Sequence, residues 1–333
     1  RWFSPEGGSW AGMAFAIAPL GVYYGRDFQA EALLVLCAAG ALEAHSIWVD
    51  RRKAWAVSLS WICFSTAALI KVIPLLWLGL PLLLVQLTPS PLAKAESPQQ
   101  ILQRLLRLTL NPWFWVYAST ALAVTSAWYL HAYQLGEASG LTFGFWGEDS
   151  DRSNIGLALN LSSWVNLAIR TGLRALVVTG VPLLMIGTMR CWRFGGGRIA
   201  LGGAVGMLIC TVATMRSSTV HEYYQFPFLL FSSPLVGLGW QTLQYKQRRW
   251  TIQMLLSITL IASLSILSFD YWAVETRQLS TWMPLAESIR KEIPANARVV
   301  SVTDSDPTLL NLARRQGWII SSRELTLDQL KKL

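Results

Sequence analysis

The sequence is short of charged residues, cysteines and histidines, and each shortage removes a class of protein from consideration. Only 14% of the 333 residues are charged, compared with about 25% in soluble domains. The four cysteines and three histidines show no metal-binding or redox spacing. Walker and Rossmann glycine patterns, HExxH and GxSxG are also absent from the sequence. The sequence therefore does not predict a soluble nucleotide-dependent or zinc-dependent enzyme.

Apolar runs are abundant instead, since 53% of the residues are hydrophobic and the mean hydropathy is +0.39. Nine runs approach the ~20 residues that a helix needs to cross a bilayer. This pattern predicts an all-α polytopic membrane helix bundle with about nine spans. The predicted spans are 9–24, 28–48, 54–70, 74–88, 112–134, 171–190, 197–215, 224–243 and 250–268.

The sequence becomes charged and mixed after Phe269, so we predict a transmembrane domain over 1–269 and a soluble domain over 270–333. The segments "ARVVSVT", "SDPTLLNLARRQGW" and "WIIS" are typical of a strand, a helix and a strand. They predict a small C-terminal α/β unit. This unit ends within a further predicted helix, "LTLDQLKKL", and we expect it to be incomplete as given.

The distribution of basic residues predicts the orientation. Loops on one side of the predicted spans hold thirteen Lys and Arg, whereas loops on the other side hold six. Basic residues concentrate in cytoplasmic loops, so we predict a cytoplasmic N-terminus and an extracytoplasmic tail. The net charge of +9 does not predict nucleic-acid binding, because the basic residues form no single patch.

Unusual polar residues share the predicted extracytoplasmic face. Ionisable residues at membrane depth commonly mark function, so we expect a site on this face. The stretches are "YYGRDFQAE" (23–31), Lys71, the loop 136–154 and "STVHEYYQFP" (218–227).

Asp27 and Glu31 are four residues apart at the predicted start of a helix, and Arg26 precedes them. This spacing places both carboxylates on one helix face near its positive end. The pair is suited to orienting sugar hydroxyls or to holding a divalent cation, with Glu31 as the favoured ligand. Helix capping with a local ion pair is the alternative.

Lys71 lies in "ALIKVIPLLWLGLPLLL", a stretch without any acidic residue. We expect its ammonium to bind an anion, and a phosphate at the bilayer surface fits its charge and position. The alternative is a side chain that extends along the apolar surface to the lipid headgroups.

His221, Glu222, Tyr223 and Tyr224 precede Pro227, a residue that is tolerated in the first turn of a helix. We predict that these four residues line the loop before this helix, where hydroxyls and aromatic faces suit a phosphate and a sugar ring. An interfacial aromatic belt would explain the tyrosines but not the adjacent His and Glu.

Three of these stretches resemble the polytopic glycosyltransferases of the GT-C class, which include the protein O-mannosyltransferases, the aminoarabinose transferase and bacterial galacturonosyltransferases. In "APLGVYYGRDFQAEALLVLCAAGAL", Glu31 takes the family's acidic position after Tyr-x-Arg. Lys71 takes the position of the Lys before the family's Pro/Leu-rich span. Tyr224 takes the position of the Tyr in the family's late Tyr-x-Leu-Pro stretch, and Phe226 replaces the Leu of that stretch. Order and spacing agree over roughly residues 10–320.

The resemblance implies transfer of a sugar from a polyprenyl-phosphate donor to an envelope lipid, glycan or protein at the outer face of the bacterial inner membrane. It implies Lys71 and Tyr224 on the phosphate, the sugar near Glu31 and His221, and inversion at the anomeric carbon. The family's catalytic acidic residue lies in the first extracytoplasmic loop, which precedes everything aligned here. The general base is therefore expected upstream of Arg1. A secondary transporter and a non-catalytic membrane scaffold are the alternatives.

Overall fold

The computed structural model describes residues 3–26, 29–88, 98–139, 155–303 and 306–321. These residues are mostly helical, with one two-stranded sheet. The chain divides into two compact units, Arg1–Leu264 and Ser265–Leu333.

Prolines begin most helices in the first part of the chain, because the fixed φ and missing N–H of proline suit the first helical turn. Pro5, Pro19, Pro74, Pro98 and Pro112 each stand at the first residue of a helix. The helices up to residue 139 are α1 (Pro5–Ile17), α2 (Pro19–Tyr24), α3 (Glu31–Arg51), α4 (Ala54–Ile70), α5 (Pro74–Trp77), α6 (Gly79–Leu87), α7 (Pro98–Thr109) and α8 (Pro112–Ser139).

The rest of the first unit contains two short irregular helical segments as well as α-helices. A π-helical segment covers Thr171–Ala175, and a 3₁₀ turn covers Glu222–Gln225. The helices are α9 (Ile155–Leu159), α10 (Leu161–Arg170), α11 (Gly180–Cys191), α12 (Gly195–Ala213), α13 (Met215–Val220), α14 (Phe228–Lys246) and α15 (Arg249–Ile266).

Three helical stretches in the described part of the chain are long and apolar enough to cross a membrane: Glu31–Arg51, Gly195–Ala213 and Arg249–Glu292. A fourth results if Leu161–Ala175 and Gly180–Cys191, which are bent by 97°, form one broken span. Helices with the length and composition to span a membrane are thus present, but the prediction of nine spans is not confirmed. Three of the predicted spans are divided, since 9–24 breaks at Ala18, 74–88 breaks at Leu78 and 171–190 breaks between Ala175 and Gly180.

The bend before α11 has a local cause in the backbone. Val177 and Val178 both have a φ of 56°. A β-branched residue is strained in this left-handed region, because its side chain crowds the backbone. The strained pair ends the π-helical segment and redirects the chain into α11.

Helix α14 packs against α1, α11 and α12 and forms the centre of the first unit. Glycines bring α11 and α14 into backbone contact: a Cβ at Gly187 would lie 1.8 Å from the carbonyl oxygen of Leu235, and one at Gly239 would lie 2.2 Å from that of Leu183. Small residues allow this close approach between membrane helices. The crossing fixes the position of the chain that leads into α14.

The second unit contains α16 (Ala273–Glu292), β1 (Val299–Ser301), α17 (Thr308–Ala313) and β2 (Gly317–Ile319). The strands pair in parallel, with Val299 opposite Gly317. A parallel pair needs a crossover connection, which α17 provides. The predicted order of strand, helix and strand is confirmed. The predicted helix "LTLDQLKKL" lies outside the described residues.

Candidate functional site

Three separate parts of the chain meet at one buried ion pair. Glu31 is the first residue of α3, and Lys71 follows the last residue of α4. The Lys71 ammonium donates a hydrogen bond to Oε1 of Glu31. The side chain of Glu31 is 2% exposed and that of Lys71 is 25% exposed. Lys71 lacks an acidic neighbour in the sequence but has one in space, so Glu31 already supplies an anion for it.

The third part is the 3₁₀ turn before α14. Lys71 Nζ lies 4.4 Å from the ring centroid of Tyr223 and 4.8 Å from that of Tyr224. The two rings stack with centroids 5.1 Å apart and planes at 27°. An ammonium near aromatic faces is attracted by their negative potential. The carboxylate of Glu31 and the two rings therefore hold Lys71 together.

His221 extends this aromatic surface towards solvent. Its ring stacks on Tyr223 at 5.1 Å, with 19° between the planes, and lies 6.3 Å from the ring of Tyr224. His221 is exposed. The edge of Tyr24, from α2, meets Tyr223 at 6.1 Å. We name His221, Tyr223 and Tyr224 the aromatic stack; it connects the surface to the ion pair.

Glu222 forms a second ion pair with Arg174 of the π-helical segment. Glu222 is 9% exposed and Arg174 is 29% exposed. Sequence reasoning proposed Glu222 but did not include Arg174 in the site. Arg174 lies within the apolar run 171–190, and a cation in such a run is a functional signal that would have identified it.

Further hydrogen bonds fix the chain before α14 against the π-helical segment. Arg170 donates to the carbonyl oxygens of Ser218 and Thr219. The hydroxyl of Thr171 and the side chain of Gln225 are 3.0 Å apart. The aromatic stack is thereby positioned by a second set of polar contacts, independent of Lys71.

Two other predicted site residues lie before α3. Arg26 is exposed in the turn after α2, and its backbone N–H donates to the carbonyl oxygen of Tyr23 at 3.3 Å. Asp27 lies outside the described residues, as do residues 140–154 of the long loop. The predicted pairing of Asp27 with Glu31 stays a prediction.

Among the described residues, no group of three or more His, Cys, Asp or Glu side chains is arranged to hold a metal ion, so Glu31 has no such group of partners for a divalent cation there. Oε1 of Glu31 accepts the Lys71 ammonium, and the buried Oε2 has no hydrogen-bond partner among them. An ammonium at this position would repel a metal ion.

No protein-family model matches the chain, and neither a curated protein nor a solved structure is significantly similar to it. Any assignment of function therefore depends on the site. Its two ion pairs and exposed aromatic surface are suited to a ligand that combines an anion with a flat or ring-shaped group.

Proposed function

We propose that this chain is a membrane glycosyltransferase that moves a sugar from a polyprenyl-phosphate donor to an envelope lipid, glycan or protein. The observation that carries the proposal is the meeting of Glu31, Lys71, Tyr223 and Tyr224 from three separate parts of the chain. These are the stretches that resemble the GT-C class. A lipid-linked phosphate lies at headgroup depth, so its binding groups belong at the ends of spans.

Lys71 is the group that binds the donor phosphate. Its ammonium has three N–H donors, of which one is given to Glu31. The side chain is a quarter exposed, so an incoming phosphate oxygen can reach a remaining donor. A charge-assisted bond of this kind is stronger than a neutral one.

Glu31 positions Lys71 and does not contact the sugar in this proposal. Its side chain is almost fully buried, and a sugar hydroxyl could reach Oε2 only if the site opened. His221 and Tyr224 are the better sugar and phosphate contacts. His221 is exposed and the Tyr224 ring is half-buried, and aromatic faces suit the apolar face of a sugar ring.

The reaction is a displacement at the anomeric carbon. The acceptor oxygen forms the new bond to this carbon, and the bond to the phosphate oxygen breaks, which releases polyprenyl phosphate. The acceptor proton passes to a carboxylate base. Neither Glu31 nor Glu222 is assigned this role, because each is engaged in an ion pair. Lys71 offsets the charge that develops on the leaving phosphate.

The proposed location is the bacterial inner membrane, with about nine crossings, the site at the extracytoplasmic face and the segment after Phe269 on the same side. The excess of Lys and Arg in alternate loops supports this orientation.

The test is release of polyprenyl phosphate from labelled polyprenyl-phosphate hexoses and pentoses by the protein in nanodiscs with envelope extract as acceptor. We expect Lys71→Ala to lower the rate by roughly ten- to a hundredfold. Lys246→Ala, at the exposed end of α14, is the matched control and should leave the rate unchanged. Absence of release from every donor by the gene-encoded full-length protein would contradict the proposal.

A secondary transporter is the second candidate, and the broken helix before α11 favours it. Transporter sites often lie at discontinuous helices with strained or unwound backbone, and here the bend is 97°. The same nanodisc assay separates the two functions, because a transporter would leave the sugar–phosphate bond intact. Uptake of a labelled solute into proteoliposomes, without release of polyprenyl phosphate, would favour transport.

A further inference from the structure

A second concave surface lies at the far end of α3 from Glu31. It is a groove of about 690 Å³ between the end of α3, α4 and the start of α8. Helix α3 has 21 residues, which separates its two ends by about 30 Å at 1.5 Å per residue. The groove is therefore separate from the site around Lys71.

The walls of the groove are aromatic and aliphatic. Trp48, Trp61, Trp113 and Tyr117 contribute rings, and Val116 contributes an aliphatic face. The indole N–H of Trp61 donates to Thr120 at 3.0 Å, so this polar atom is satisfied without a ligand. A surface of this kind favours an apolar chain. Its volume falls in the range of known small-molecule sites.

The mouth of the groove is cationic. Arg52 lines it, with its guanidinium carbon 5.6 Å from the centroid of the Trp48 ring. Arg51 and Lys53 adjoin Arg52 in the sequence, and all three are exposed. Among the described residues, none that lines the groove is acidic. The charge of the mouth thus selects an anion.

Arg52 occupies a backbone position that suits glycine better. It ends α3 with a φ of 52°, in the left-handed region that costs an L-residue about 1–2 kcal/mol. Glycine is the usual residue at this position of a helix end. A side chain kept there at such a cost is consistent with a role for its guanidinium.

Helix α7 indicates that this end of the unit lies at a membrane surface. Leu102 and Leu106 of α7 and Leu110 just after its end repeat every four residues and are 57%, 57% and 82% exposed. Arg104 and Arg107 lie on the same helix. Helices with an exposed apolar stripe and basic residues lie in the membrane interface. Helix α7 leads directly into α8, whose Trp113 lines the groove and is 68% exposed.

We propose that the groove binds a net-negative phospholipid, with one acyl chain along the aromatic walls and the headgroup phosphate on Arg52. This site is independent of the sugar-transfer reaction and would exist in a transporter as well. Anionic lipids are enriched in the cytoplasmic leaflet, and the basic residues 51–53 are on the predicted cytoplasmic side.

Native mass spectrometry of the purified full chain tests the proposal, with palmitoyl-oleoyl phosphatidylglycerol and the matching phosphatidylcholine as probes. Arg52→Gly removes the charge and also relieves the left-handed backbone, so its stability should be equal or higher. We expect it to weaken phosphatidylglycerol binding about fivefold, the contribution of one Arg near a membrane surface. Phosphatidylcholine has the same phosphate but a choline cation beside it, so its binding should weaken less and the preference for phosphatidylglycerol should fall. Arg248→Gln, an exposed cation outside the groove, is the control.

A second variant tests the groove itself. Ser58 is exposed on its wall, so Ser58→Phe should reduce binding of both lipids by filling the space. Val116→Phe fills the same space from α8, and this variant is used instead if Ser58→Phe does not fold. The proposal is wrong if Arg52→Gly keeps the preference for phosphatidylglycerol, or if the folded filling variant binds both lipids as the wild type does.

Discussion

The ion pair between Glu31 and Lys71 gives the sharpest test of the site's structure, because its two members differ in burial. Lys71→Met leaves a carboxylate that is 2% exposed without a counter-charge, whereas Glu31→Gln leaves an ammonium that is 25% exposed and still faces two aromatic rings. Removing one member of a buried pair costs about 3–5 kcal/mol. We expect Lys71→Met to reach that range and Glu31→Gln to fall below it.

The double variant Glu31→Gln/Lys71→Met should recover part of the loss, because neither charge is left buried alone. A coupling free energy on the order of 1–3 kcal/mol is expected for residues in direct contact. It can be measured by unfolding in SDS mixed micelles, followed by circular dichroism, with Lys246→Met as the control. If the free-energy changes of the single variants simply add in the double variant, the pair does not form and the site is wrongly described.

Four further predictions concern the Tyr224 hydroxyl, the second ion pair, the helix crossing and the orientation of the chain. Tyr224→Phe should slow donor use by about tenfold if its hydroxyl binds the phosphate, and an unchanged rate would restrict Tyr224 to its ring contacts. Arg174→Met leaves Glu222 buried and should lower the unfolding free energy by about 3 kcal/mol; no change would mean that the pair is not formed. Gly187→Ala should destabilise the crossing of α11 and α14, where a Cβ meets backbone at 1.8 Å, whereas Gly12→Ala, with open space around it, should be neutral in thermal unfolding. A reporter that is active only in the cytoplasm should be silent when fused after Leu333, and a strong signal would overturn the proposed orientation.

The sequence predicts the helical character of the chain and the grouping of its polar residues, because both depend on local composition. Apolar runs and prolines at helix starts indicate the positions of most helices. The strands around α17 follow from short β-branched runs with an Asp-Pro start between them. All of these signals act within a few residues of the chain.

Contacts between distant segments could not be predicted in this way. Glu31 and Lys71 are forty residues apart, and although the predicted topology places both on one face, it does not specify that the two side chains form an ion pair. The break at Val177 and Val178 could not be predicted from the sequence either, because valine normally disfavours a positive φ. Only packing of the whole unit determines these features, so the nine regular spans predicted from hydropathy do not appear as nine unbroken helices.

Binding of undecaprenyl phosphate to the purified protein in nanodiscs is the most direct test of the central claim, because this leaving group is the same whichever sugar is transferred. We predict that Lys71→Ala weakens binding roughly tenfold or more, from the loss of a charge-assisted contact of about 1.5–3 kcal/mol. Lys246→Ala, an exposed cation outside both the site and the groove, is the control and should leave this affinity unchanged. Equal affinity of the wild type and Lys71→Ala would contradict the assignment of Lys71 to a lipid-phosphate donor.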